Sequence, residues 1–323
     1  MRQISLDAIT DAAEHVYKAA VRTPLVKLDL PFAASGAAPE VYLKLESLQP
    51  IGSFKIRGAW NAVRQLSPAQ MKDGVWTVSA GNAAQGVAFA ARLAGVPCSV
   101  MVMETAPQMK LRAIEKLGAT IVKATYDECW KTVESHASPR MRGHFVHPFD
   151  DDDFIAGNAT AGLEILEDLP DVDAVVAALG GGGLLSGIGT VMRAKKPGVR
   201  VYAAEPETAA PLDLSLKRGE ACYFDAWKPS FVDGAGGKSV LPTMWPLLKN
   251  LVDGSIVMRL DDIASAMRKT AERVHVVAEG AAGTAIAAAL SGRAGTGKVV
   301  AVVSGGNIDL SRFSELVSAH AAI

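Results

Sequence analysis

Cysteine is scarce: Cys98, Cys129 and Cys222 are the only three, far apart and without a CxxC spacing. Their number and placement argue against a disulfide framework or a zinc site and suit a reducing cytoplasm. An excess of charge of one sign is also missing, because 33 Lys and Arg face 34 Asp and Glu. No net field therefore draws the chain toward nucleic acid or an anionic membrane, and small-molecule partners are favoured. No apolar run is long enough to cross a bilayer, and Met1-Arg2-Gln3 leads into a polar, helix-like stretch with no apolar signal region. No targeting segment, fixed-period repeat or low-complexity linker is expected.

What is present is an α/β pattern, with short β-rich runs alternating with helical stretches as in a mostly parallel sheet covered by helices. Strands are predicted at Val41–Leu45, Val75–Ser79, Cys98–Met103, Thr120–Lys123, Phe145–His147, Ala174–Leu179, Arg200–Ala204, Ile256–Leu260 and Val299–Val303. The clearest helices are predicted at Pro107–Leu117 and Asp262–His275. With 323 residues, 49% of them hydrophobic, the chain can bury two moderate cores, so two lobes are expected. The acids Asp150 to Asp153 mark a lobe boundary or simply cap the helical run Ile155–Leu169.

Chemistry concentrates in a few segments. In Gly52-Ser53-Phe54-Lys55-Ile56-Arg57-Gly58, a Pro/Gly turn places one lysine between apolar neighbours. Desolvation there lowers an amine's pKa, as Schiff-base chemistry requires; an ordinary surface lysine is the alternative. The strand ending at Leu179 runs into Gly180-Gly181-Gly182-Gly183 and then a helix over Leu184–Ala194, an order that makes an anion cradle. Its spacing misses the dinucleotide fingerprint, so a nucleotide-binding oxidoreductase is the poorer reading. Ser79-Ala80-Gly81-Asn82-Ala83-Ala84-Gln85-Gly86 and Ser304-Gly305-Gly306-Asn307 likewise follow predicted strands, where open α/β sheets bind ligands. Gly292-Arg293-Ala294-Gly295-Thr296-Gly297-Lys298-Val299 nearly spells a phosphate-binding P-loop, but Val299 stands where the metal-binding hydroxyl belongs, and it reads as a turn. His144 and His147 fall on a predicted strand with no third donor nearby, which favours packing or solvent contact, and no transition metal is assigned to them.

Together with Arg22-Thr23-Pro24-Leu25, Lys44-Leu45-Glu46-Ser47-Leu48-Gln49-Pro50 and Pro148-Phe149-Asp150-Asp151, these segments follow one order almost end to end. In that order the chain resembles the fold-type II pyridoxal-phosphate enzymes, in particular the threonine/serine dehydratase and serine racemase family. The resemblance implies a two-domain fold like that of tryptophan synthase β, with residues 1–70 and 151–323 as the large cofactor-binding domain and 71–150 as the small one. It implies pyridoxal 5'-phosphate as cofactor, a Schiff base on Lys55, a phosphate held by Gly180, Gly181, Gly182, Gly183 and Leu184, and Asn82 on the pyridine hydroxyl. Ser304 would face the pyridine nitrogen, with Phe54, Gly234 and Glu279 along the cofactor. Ser79, Ala80, Gly81, Asn82 and Ala83 would receive the substrate carboxylate.

The activity so implied is dehydration of a β-hydroxy-α-amino acid to a 2-oxo acid and ammonia through aminoacrylate, in a cytoplasmic homodimer. A β-replacement synthase and an amino-acid racemase are the alternatives. Two positions depart from the family. Ala80 replaces the serine that works on the opposite face of the cofactor in racemases, which leaves dehydration in place and makes racemisation doubtful. Ala83 replaces the usual histidine, so that either the freed volume accepts a bulkier substrate such as 3-phenylserine or another side chain fills it. The divalent-cation site of the racemases looks incomplete: Glu205 is present as a candidate ligand, but Pro211 stands in place of an aspartate.

Overall fold

A computed structural model describes residues 2–29 and 38–318. Its strands are β1 (Leu25–Lys27), β2 (Glu40–Lys44), β3 (Val75–Val78), β4 (Cys98–Met103), β5 (Thr120–Ala124), β6 (His144–Phe145), β7 (Ala174–Ala178), β8 (Arg200–Pro206), β9 (Gly254–Met258) and β10 (Lys298–Val302). All nine predicted strands are found, most within one or two residues of their expected ends. The unforeseen one, β1, pairs antiparallel with β2 over only three residues, too few to show an alternating pattern.

The strands form two sheets, one of six strands in the order β1-β2-β10-β7-β8-β9 and one of four in the order β5-β4-β3-β6. Apart from β1, every pairing is parallel. Helices cover such sheets because a parallel strand must be followed by a crossover. Among the inner strands, β7 reads Ala-Val-Val-Ala-Ala and is almost wholly buried. Helix Gly280–Leu290 is built mostly of alanine and glycine, and ten of its residues are buried. Without bulky side chains it packs deep in the core of the six-stranded sheet, beside Ile263, Met267, Val299 and Ala301.

Two compact units result. One comprises Met1–Gln3, Arg22–Leu48 and Ala161–Ile323, with the six-stranded sheet; the other comprises Ile4–Val21 and Gln49–Thr160, with the four-stranded sheet. The division differs from the expected domains, since 4–21, 49–70 and 151–160 group with 71–150. The physical reason is helix packing through glycine. A Cβ on Gly86, in helix Asn82–Ala94, would lie 3.0 Å from the Lys55 carbonyl oxygen, and one on Gly58 would lie 2.5 Å from that of Phe154. Bare backbone thus lets helix Lys55–Arg64 nest against both neighbours, and Ile56, Ala59, Val63, Val87 and Phe154 share one core. The acids after His147 begin helix Asp152–Asp168, with the Asp151 Oδ1 accepting the Phe154 N–H at 2.8 Å, so they cap it as one of the two readings held. The glycine-rich 292–298 segment is a turn between helix Gly280–Leu290 and β10, as expected.

Candidate active site

In the unit of the four-stranded sheet, Lys55 opens its helix directly after the Gly52 turn, where Gly52 takes φ +71°. Its Nζ donates to the Pro148 carbonyl at 2.6 Å and lies 5.3 Å from the ring centroids of both Phe54 and Phe154. Desolvation by this apolar cage pulls the amine down to about 8. A neutral amine is then accessible near physiological pH, which an exposed lysine would not offer. The apolar neighbours read from sequence are therefore the right kind, although Phe154 and Pro148 come from distant parts of the chain.

Pro148 sits in a turn organised by His147. The buried imidazole Nδ1 accepts the N–H groups of Phe149 at 3.2 Å and Asp150 at 2.7 Å. That leaves the proton on Nε2, which donates to the Val133 carbonyl at 3.2 Å. Burial, helped by the nearby His136 and Lys55 and opposed by Asp150 and the Val133 carbonyl, pulls the His147 pKa down to about 3. The absence of further donors beside His147 is corrected here: His136, His147 and Asp150 bring ligand-type atoms within 4.8 Å of one another. Sequence distance hid this trio, because His136 arrives from the end of helix Tyr126–Ser135. Both His147 nitrogens are hydrogen-bonded to the backbone, so this imidazole serves the turn in the state described.

The second strand end of this unit follows β3. There the Ser79 hydroxyl accepts the Gly81 N–H at 3.1 Å, and helix Asn82–Ala94 begins with no acid in its first turn. The Ser79–Ala83 segment thus presents a helix start to an anion such as a carboxylate. Gly86 presses this helix on the lysine helix, so the Ser79–Ala83 segment and Lys55 belong to one packed body. Ala83 is only 4% exposed, and protein atoms cover its methyl group.

In the other unit, β7 ends at the glycine loop. Gly182 has φ +94° and ψ −9°, a conformation that disfavours any side chain, and a Cβ there would meet Leu248 at 2.9 Å. The first helical hydrogen bond runs from the Ser186 N–H to the Gly182 carbonyl at 2.8 Å, so the N–H groups of Gly183, Leu184 and Leu185 precede the helical ladder. Gly180 is equally confined, since a Cβ would lie 2.8 Å from the Gly234 carbonyl oxygen. Gly234 in turn lies beside the Glu279 carboxylate, 3.6 Å from its own would-be Cβ, and the Glu279 N–H donates to the Gly305 carbonyl at 3.0 Å. Gly180, Gly234, Glu279 and Ser304-Gly305 thus gather at the ends of β7 and β10, hydrogen-bonded parallel neighbours. Ser304 is 5% exposed. The glycine loop offers backbone donors suited to a phosphate, and the chain also carries a desolvated lysine, the residue types that pyridoxal phosphate needs.

Glu205 has a different setting. Its Oε1 accepts the Leu212 N–H at 2.8 Å, and its Oε2 accepts the Asp213 N–H at 2.8 Å and the Ser255 hydroxyl at 2.5 Å. The carboxyl group therefore caps helix Pro211–Arg218, which the proline opens. Burial pushes its pKa up to about 7.

Comparison with known proteins agrees with this chemistry. A family model described as pyridoxal-phosphate dependent enzyme matches residues 16–305. The L-threonine ammonia-lyase of Thermotoga maritima is 38% identical over 318 residues, spanning 98% of this chain and 78% of that protein. The serine racemase of Dictyostelium discoideum is 35% identical over 328 residues, spanning 98% of this chain and 99% of that protein. Among solved structures, the processed form of threonine deaminase isoform 2 from Solanum lycopersicum superposes with a TM-score of 0.85 at 28% identity, covering 100% of this chain and 96% of that one.

Proposed function

Because the chain belongs to the pyridoxal-phosphate-dependent enzymes, we propose that it is a dehydratase, releasing ammonia and a 2-oxo acid from a β-hydroxy-α-amino acid of the threonine/serine class. The observation that carries this reading is the likeness to the Thermotoga L-threonine ammonia-lyase over 98% of the chain. We assign Lys55 as the cofactor lysine, Gly180 to Gly183 and Leu184 as the phosphate cradle, and Asn82, Ser304, Phe54, Gly234 and Glu279 as residues along the ring. Ser79 to Ala83 would bind the substrate carboxylate.

When bound, the cofactor supplies an electron sink that makes the substrate Cα–H acidic and the β C–O bond cleavable. The protein's share is positioning and proton transfer. An amine near 8 is about one-tenth unprotonated at pH 7, so the Lys55 Nζ can accept the Cα proton without a strong base nearby. The helix start at Asn82 orients the carboxylate, which fixes the Cα–H relative to Nζ. Ser304, a neutral hydroxyl where a carboxylate would favour ring protonation, supports prompt loss of the β-hydroxyl as water. Ala80 carries no proton, so replacement of the Cα proton from the opposite face lacks a donor at this position. That favours elimination over racemisation, although a serine racemase is among the relatives.

The burial of Ala83 favours a filled site over one enlarged for an aryl group. Threonine and serine are accordingly the proposed substrates, ahead of 3-phenylserine. The test is release of 2-oxo acid from all three, with borohydride reduction and peptide mapping of the loaded protein. Label on Lys55, turnover of threonine or serine, and its loss in Lys55→Ala are expected. Racemised amino acid without 2-oxo acid, or label elsewhere, would overturn the assignment. A particle of twice 33.8 kDa by light scattering tests the homodimer.

A further inference from the structure

The Pro148 carbonyl is the partner of the Lys55 amine, and the turn that carries it is held by His147. Its Nδ1 gathers the N–H groups of Phe149 and Asp150, the two residues that follow Pro148, while Nε2–H is tied to Val133. The ring is wedged edge-on against Phe149, centroids 4.6 Å apart at 87°, and lies 4.6 Å from the His136 ring. The Phe149 N–H and the Pro148 carbonyl are two ends of one planar peptide. An imidazole lone pair that collects that N–H and the next one therefore fixes the direction of the carbonyl.

We propose that His147 is a positioning residue whose neutral Nδ1 holds the 147–150 turn so that the Pro148 carbonyl stays on the Lys55 amine. The carbonyl dipole sets its negative end on Nζ and so offsets part of the desolvation that the Phe54 and Phe154 rings impose. It also gives the amine a fixed direction, which a flexible four-carbon side chain lacks. The charged or titratable groups facing the imidazole are His136, Asp150 and Lys55. Protonation of Nδ1 would remove the acceptor from both amides and release the turn.

The importance of this turn for turnover rests on the reading of Lys55 as the cofactor lysine, but the contact itself is testable without cofactor. His147→Phe keeps a buried ring and removes the acceptor; His147→Asn restores an acceptor near the Nδ1 position. The readout is the pH dependence of Lys55 modification by an amine reagent in the full cofactor-free chain, quantified on the Lys55 peptide. In His147→Phe the apparent amine pKa is expected to fall by about 0.5 to 1, and His147→Asn to return it toward the parent value. In the loaded enzyme, kcat should fall more than KM rises, because ground-state binding of the substrate carboxylate does not use this turn. An unchanged Lys55 titration in folded His147→Phe would overturn the proposal. Should that variant fail to fold, amide exchange in the parent decides: the proposal requires protected N–H groups at Phe149 and Asp150, and free exchange at both refutes it. Borohydride label away from Lys55 would instead overturn the cofactor assignment and leave this contact standing.

Discussion

Replacing Lys44 with methionine should destabilise the unit of the six-stranded sheet far more than any loss of packing. The Lys44 ammonium is wholly buried and donates to the Thr23 carbonyl at 2.7 Å, with the Glu164 carboxylate at 2.6 Å and that of Asp168 at 3.6 Å. At 2.6 Å and an effective dielectric of 20, the Lys44–Glu164 attraction is about 6 kcal/mol. Burial of two ions costs several kcal/mol each, so the intact pair contributes little net stability. Removing only the lysine deletes this attraction while the carboxylate, at 2% exposure, stays buried. The expected cost is about 3–5 kcal/mol. Replacing both residues, as Lys44→Met with Glu164→Leu, removes that buried charge as well and should recover most of the loss. Urea unfolding with peptide-resolved hydrogen exchange measures both variants and locates the damage. Equal destabilisation in the single and double variants would refute the reasoning, because lost packing would then account for the cost. The outcome also bears on the site: the Lys44 carbonyl accepts the Val303 N–H at 2.9 Å, directly before Ser304.

Gly182→Ala forces a side chain into a left-handed conformation and against Leu248. It should cost about 1–2 kcal/mol of stability and weaken cofactor reconstitution, as titration of the cofactor-free chain would show. Glu205 gives a pH signature. Its folded pKa lies near 7, against 4.5 for an unperturbed carboxyl group, so its contribution is fully present below 4.5 and is lost as pH rises through 7. Glu205→Gln should therefore gain stability relative to the parent between pH 5 and 8, by at most about 3 kcal/mol, and thermal unfolding across that range checks the sign. A parallel pair of stability curves would refute it.

The signals that were legible in the sequence are those carried by neighbours along the chain. Strands such as β7 announce themselves by continuous apolar runs, and the glycine loop by its place between strand and helix. Lys55 stands out because Phe54 and Ile56 flank it. What stayed hidden depends on residues far apart: Phe154 and the Pro148 carbonyl around Nζ, His136 beside His147, and Glu164 beneath Lys44. A discontinuous large domain was expected, but not that 4–21, 49–70 and 151–160 group with 71–150, which follows from where Gly58 and Gly86 allow backbones to touch. Ala83 shows the opposite limit. The missing imidazole was evident, but whether space remained depended on neighbours that only the folded chain supplies.

The strand order β1-β2-β10-β7-β8-β9 carries a consequence for biosynthesis. Among the described strands β10 comes last in the chain, yet it lies between β2 and β7 and is hydrogen-bonded to both. Until it leaves the ribosome, the early pair and the later trio have no ladder joining them, and β2 and β7 each present an open edge. The nascent chain must keep those edges apart from other chains until then. Ser304, just beyond β10, arrives in the same step that joins the sheet, so its placement at the end of β10 coincides with closure of the six-stranded sheet.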